Sequence, residues 1–204
     1  FDEESMNTAF VARDKTGRIV LTVVERLLEE QRAVEEVQWR NDLKFKQFMV
    51  ASDGMEHIAQ NSKELKDFVN THCRGDLQKF RINYTPHREF LFQVMQQLYP
   101  SLQDRKIWFV ECRDLRDPDE DRRERRDTRH MGTHHMILEE IMENPKFEPK
   151  MKEVADFIRK QGAMAKIAII FICRGGKHRS EACRFVTCEV LESIGCQEVH
   201  TITL

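Results

Sequence analysis

The residues best placed to do chemistry are Cys173-Arg174-Gly175-Gly176-Lys177-His178-Arg179-Ser180. They end the most apolar run of the chain, Ile167 to Cys173, and open a helical pattern. Two adjacent glycines, Gly175 and Gly176, permit positive φ and let N–H groups converge on a ligand without a Cβ in the way. The first N–H groups of the new helix have no intrahelical acceptors and add the positive end of its dipole. Lys177 and His178 supply further donors, and Arg179 can grip an oxyanion through two bonds. Ser180 adds a hydroxyl and can cap. The expected occupant is an anion, phosphate above all; the bland alternative is a solvated, basic helix start. Arg113, one residue past another apolar strand, is expected to reach the same loop.

A second chemistry competes for these residues. Cys173, five residues, then Arg179-Ser180 is the spacing of cysteine phosphatases, whose thiolate attacks phosphorus while loop N–H groups and the Arg hold the oxygens. A strand-end Cys facing a helix N-terminus among basic neighbours is expected to be a better nucleophile. Such an enzyme also needs an acid for the leaving oxygen, and Asp117 or Asp119 beside Pro118 are the candidates. Binding needs only the loop, so catalysis is the weaker expectation. His134-His135 with Cys112 or His130 matches no usual zinc spacing, and neither metal nor cofactor is expected.

The octapeptide and its surroundings resemble the C-terminal domain of the RapZ RNase-adapter family. There an apolar strand ends in G-C-T-G-G-K-H-R-S, where this chain carries C-R-G-G-K-H-R-S. The family's upstream D-x-R-x-L-x-N-P is similar to E-C-R-D-L-R-D-P, Glu111 to Pro118, with Arg113, Leu115 and Pro118 in common. Gly132 stands where the family starts a helix with a glycine. The resemblance covers about residues 106–204. Glu111 replaces the usual Asp, Asp117 replaces Asn, and His134 stands where the family has an Asp. The ending V-H-T-I-T-L lacks the family's basic finish. No G-x-x-x-x-G-K-[ST] occurs, so the phosphate loop of the family's ATP-binding domain is missing from this sequence. The resemblance implies an adapter that binds a sugar phosphate or an RNA phosphate, without catalysis.

Several elements must hold that loop in place. Lys106 to Cys112 reads as a buried strand, followed by a zwitterionic loop, Arg113 to His130, with seven Arg against seven Asp and Glu. Helical patterns at 133–143 and 150–160 precede the strand at 167–173. A helix from about Ser180 to Ser193 then ends at Gly195, before a last strand, V-H-T-I-T-L. Strands alternating with helices predict an α/β domain with a mostly parallel sheet and flanking helices over 106–204. Ligands in such sheets bind at the carboxyl ends of the strands.

The first half reads differently. Residues 1–17 are expected to be a flexible lead-in, and 18–105 a mainly helical region. Apolar residues from Val20 to Leu43 recur at helical spacing, giving an amphipathic helix from Arg18 to about Met49, broken near Asn41. The bland reading is a packing helix; exposure of Trp39 and Phe45 would suit it to docking a protein partner. Ser52-Asp53-Gly54 reads as a turn, Asn61 or Ser62 as a cap, Leu77 to Ile82 as a short strand, and Thr85-Pro86 as a helix start.

Composition bounds the function. The 204 residues carry a net charge of −2, so no global positive field draws the chain onto nucleic acid. A phosphorylated small molecule is therefore expected at least as readily as RNA, with RNA reached through an oligomer that multiplies the loop. An assembly subunit that uses the domain only for docking is the third class. No apolar run approaches the length of a membrane span. The chain begins at Phe1, as expected of a fragment or processed product, and its acidic opening is unlike a targeting peptide. Six dispersed cysteines without a C-x-x-C pair point to reduced thiols and an intracellular setting, the compartment left open.

Overall fold

A computed structural model describes residues 43, 45–117, 132–196 and 198–203. The lead-in at 1–17, the helical pattern from Arg18 to Asn41 with Trp39, and Asp119 lie outside those residues.

Among the described residues four strands form one sheet: β1 (Gln47–Gly54), β2 (Lys106–Glu111), β3 (Lys166–Cys173) and β4 (Glu198–Thr203). Their order is β2-β3-β1-β4, and every neighbouring pair is parallel. Parallel strands need crossovers, which the helices provide. Helices α1 (Met55–Asn61), α2 (Lys63–His72) and α3 (Thr85–Leu98) carry the chain from β1 to β2. Helices α4 (His135–Met142) and α5 (Phe147–Arg159) lie between β2 and β3, and α6 (Arg179–Ser193) leads to β4. The fold is α/β. Among the described residues no helix is long and apolar enough to cross a membrane.

Each face of the sheet has its own core. Phe48, Val50, Val110, Ile169 and Phe171 pack with α4, α5 and α6 on one face. Met49, Ala51, Phe109, Ile170 and Ile172 pack with α1, α2 and α3 on the other. A strand buried on both faces reads as a continuous apolar run rather than an alternation, as β3 does. Phe48 and Phe171 are wholly buried, each contributing about 1.5–3 kcal/mol from apolar burial.

β1 corrects the sequence reading. Its residues 47–49 are strand rather than the end of an amphipathic helix, and Ser52-Asp53-Gly54 continues the strand rather than turning. The apolar core of β1 is only Phe48 to Ala51, and the preceding charges mimic helical spacing. Its pairing with β3 and β4 on both sides decides the outcome. Residues 77–79 form a 3-10 turn instead of a strand, because Asp76 caps it by accepting from the Gln78 N–H at 2.9 Å. Ser62 caps α2 as expected, accepting from the Leu65 N–H at 3.1 Å. Phe45 is 62% exposed.

One buried polar knot ties α6 to the sheet. The Ser52 hydroxyl on β1 donates to Glu181 Oε2 at 2.6 Å, and Arg184 Nε donates to the same carboxylate at 2.8 Å. Burial would push the Glu181 carboxyl up, but the bonds from Arg184 and Ser52 and the Arg184 charge outweigh it. They hold it below the ordinary Glu value. A carboxylate depressed on folding stabilises the fold above its unfolded pKa, and the benefit fades as pH falls through the folded value. Glu181→Gln is therefore expected to cost roughly 1.5–3 kcal/mol at pH 7. Urea titrations should show its gap from wild type narrowing below about pH 4.5.

Candidate anion site

β1 and β3 are neighbours, and their last residues, Gly54 and Cys173, face each other in register. From there the chain departs in opposite senses. β1 feeds α1 on one face, while β3 feeds α6 on the other. This is the switch point of an open parallel sheet, where a crevice forms beyond the carboxyl ends. Residues 174–178 lie in it.

Glycines shape the loop from three directions. A Cβ on Gly54 would lie 2.5 Å from the Gly175 carbonyl carbon and 2.6 Å from the Gly176 nitrogen. A Cβ on Gly132 would lie 2.4 Å from the His178 oxygen. Gly176 itself has φ +78°. Gly175 does not use the positive-φ freedom that its sequence context suggests; open space surrounds the position a Cβ would take. Two loop carbonyls are fastened as well: the Glu56 N–H donates to Arg174 O at 3.1 Å, and the Gly132 N–H to Lys177 O at 3.0 Å. The first bond of α6 is Ala182 N–H to His178 O at 2.8 Å. The N–H groups of residues 179–181 precede that bond and have no acceptor one turn back.

At the floor, Cys173 is 2% exposed. Its Sγ accepts the Gly176 N–H at 3.1 Å and lies 3.2 Å from Ser180 Oγ. Arg179 is buried, and its Nη1 donates to the carbonyls of Arg113 and Leu115 at 3.0 and 3.2 Å. Its Nη2 lies 2.8 Å from Asp117 Oδ2, and His178 Nδ1 lies 3.9 Å from Asp117 Oδ1. Arg174 points outward onto Glu56 at 2.6 Å. Together these groups line a cavity of about 280 Å³, with Lys177 exposed at its mouth. A larger cleft of about 700 Å³ shares Glu56, Asp117, Arg174 and Arg179 with it and extends to Asp76, Arg81 and Asn83.

Cys173, Gly175, Lys177, His178, Arg179 and Asp117 thus share one cavity, with Gly176 and Ser180 bonded to the Cys173 sulfur. Arg113 enters differently from the expectation. Its Nε donates to Glu111 Oε1 at 2.7 Å, and its Nη1 donates to Leu77 O at 2.8 Å. Nη2 reaches Phe80 O and Glu111. The guanidinium stitches the end of β2 to the 77–80 segment, the carbonyl receives Arg179, and the residue lines the larger cleft together with Arg174 and Arg179. The sequence reading gives Gly54 only a turn and leaves Glu56 out. An S-D-G triplet reads as a turn unless the strand before it is known. Among the described residues no cluster of His, Cys, Asp and Glu could hold a metal ion. No family model, curated protein or solved structure matches the chain.

Proposed function

We propose that the chain is a phosphate-binding module whose cleft takes the phosphoryl group of a phosphorylated small molecule onto residues 175–180. The observation that supports this best is the fastening of the loop. The Arg174 and Lys177 carbonyls accept from the Glu56 and Gly132 N–H groups, so these acceptors are already satisfied. A helix N-terminus and a buried Arg then supply donors there. The resemblance of Cys173 to Ser180 to the RapZ loop agrees with an adapter role, and the adjoining polar cleft has room for a sugar. RNA backbone is the ligand less favoured by this reading, since one loop neutralises one phosphate.

Calorimetry with inorganic phosphate, hexose phosphates and hexosamine phosphates tests the proposal. Arg179→Ala is expected to weaken binding about tenfold, because Asp117 already engages part of the guanidinium. Equal affinity in the two proteins would end the proposal.

A second reading has an observation of its own. The Cys173 sulfur with one N–H donated to it and the Ser180 hydroxyl 3.2 Å away, an Arg six residues on and a carboxyl group across the cavity is a set that a cysteine phosphatase would use. In that reaction Sγ attacks phosphorus and Asp117 protonates the departing oxygen. Aryl phosphate turnover that vanishes in Cys173→Ser would favour the enzyme.

A further inference from the structure

The thiol of Cys173 has a neighbour that phosphate binding does not use. The last register pair of β2 and β3 is Glu111 with Ile172, and the Cys112 N–H donates to Ile172 O at 2.7 Å. The next step along both strands sets Cys112 beside Cys173. Alternation puts both side chains on the same sheet face: Val110, Cys112, Phe171 and Cys173 belong to one core. Neighbouring strands run about 4.8 Å apart, inside the roughly 4.4–6.8 Å between Cα atoms that a disulfide spans. Cys183 on α6 belongs to the same core, and all six thiols are free.

The two thiols differ in access. Cys173 lines the anion cavity, so a molecule as small as hydrogen peroxide can reach it. Cys112 is wholly buried behind it. Burial first, then the bond and charge of Cys183 and the charge of Cys173, push the Cys112 thiol well above its ordinary value. Cys112 is thus no target for oxidant in solution, but its proximity to Cys173 offsets its weak acidity in an intramolecular step.

The geometry points to a peroxide-sensitive pair in which Cys173 is oxidised first and Cys112 resolves it into a disulfide. The Cys173 thiolate attacks one oxygen of hydrogen peroxide, an S–O bond forms and the O–O bond breaks. The sulfur is oxidised to sulfenic acid, and the departing hydroxide takes a proton to become water. The Gly176 N–H and Ser180 hydroxyl already face that sulfur. Cys112 Sγ then attacks Cys173 Sγ, the S–S bond forms and the S–O bond breaks. The oxygen leaves as a second water with the Cys112 proton. The bridge draws the Cys173 sulfur off Gly176 and Ser180 and toward β2, which deforms the loop. Loss of phosphate binding on oxidation rests on the proposed function; the bridge itself does not.

The test treats the whole chain with excess hydrogen peroxide, blocks free thiols, digests with trypsin without reductant and reads cross-linked peptides by mass spectrometry. Trypsin isolates the three cysteines of this core nearest the loop on residues 107–113, 167–174 and 180–184. The expected product joins 107–113 to 167–174 and is released by dithiothreitol. Cys112→Ser, or Cys112→Ala if Ser destabilises the core, should instead leave Cys173 as a dimedone-reactive sulfenic acid that proceeds to sulfinic acid. An untouched Cys173, a bridge from 167–174 to 180–184, or sulfinic acid without a bridge in wild type would each overturn the proposal. Phosphate calorimetry before oxidation and after reduction separates failure of the bridge from failure of the ligand assignment.

Discussion

Asp117→Asn is expected to raise affinity for inorganic phosphate by roughly 30-fold. In the wild type a carboxylate oxygen lies 2.8 Å from Arg179 Nη2, on the cavity wall that a phosphate would face. Two unit charges about 5 Å apart repel by about 3 kcal/mol at an effective dielectric of 20, and partial solvent access reduces this to about 2 kcal/mol. That difference is about 30-fold in a dissociation constant. Asn keeps an oxygen for the guanidinium, and Arg179 Nη1 stays fixed by the carbonyls of Arg113 and Leu115. The fold should therefore hold. Calorimetry with phosphate reads the effect, and unchanged or weaker binding would show that Asp117 does not compete for the site. The same variant separates the two functions: as the acid of a phosphatase, Asp117 is worth roughly 10²–10⁴ in turnover, and Asn would bind more tightly while turning over less.

Gly54→Ala is expected to destabilise the protein by about 3 kcal/mol, lowering the melting temperature by about 6–12 °C. The added carbon meets backbone on the facing loop, at 2.5 Å from Gly175 C, 2.6 Å from Gly176 N and 2.9 Å from Arg174 O. No rotamer change can relieve a clash with main chain. Either β1 separates from β3 at its end or the loop moves outward, and the second outcome removes the anion site as well. Gly162→Ala, with nothing within 4 Å of the new carbon, is the control and should stay within about 0.5 kcal/mol. A Gly54 variant as stable as that control would mean that the two loops do not press on one another.

The C-terminal elements are legible in the sequence because each carries its own signal. β3 is a bare apolar run between charges, α6 opens at a glycine-rich loop, and Gly195 with φ +86° closes it. The glycine-rich loop between β3 and α6 is legible for the same reason, as its glycines and cations are consecutive. β1 is not, because its identity depends on partners: Gln47 pairs with Lys166 on one side and Glu198 on the other, both distant in sequence. Arg113 is legible only in part, for a related reason. Its proximity to the loop is readable from the strand, but the Leu77 and Phe80 carbonyls that hold its guanidinium come from a segment whose placement no local pattern reveals. Gly54 and Gly132 likewise matter through what lies opposite them. Neighbours across the fold, not neighbours in the chain, decide these roles.

The strand order also sets a timetable for biosynthesis. β1 emerges from the ribosome before the other three strands, yet it occupies an inner position flanked by β3 and β4. Until those later segments are made, Phe48 and Val50 sit on a strand with two open edges, a state prone to pairing with other chains. Folding must therefore wait for contacts of long sequence separation, which makes it slow. The loop after β3 cannot take shape until β1 and β3 meet, since Gly54 presses on it from the first strand. Truncated chains ending before β3 would leave the aggregation-prone strand without either of its partners.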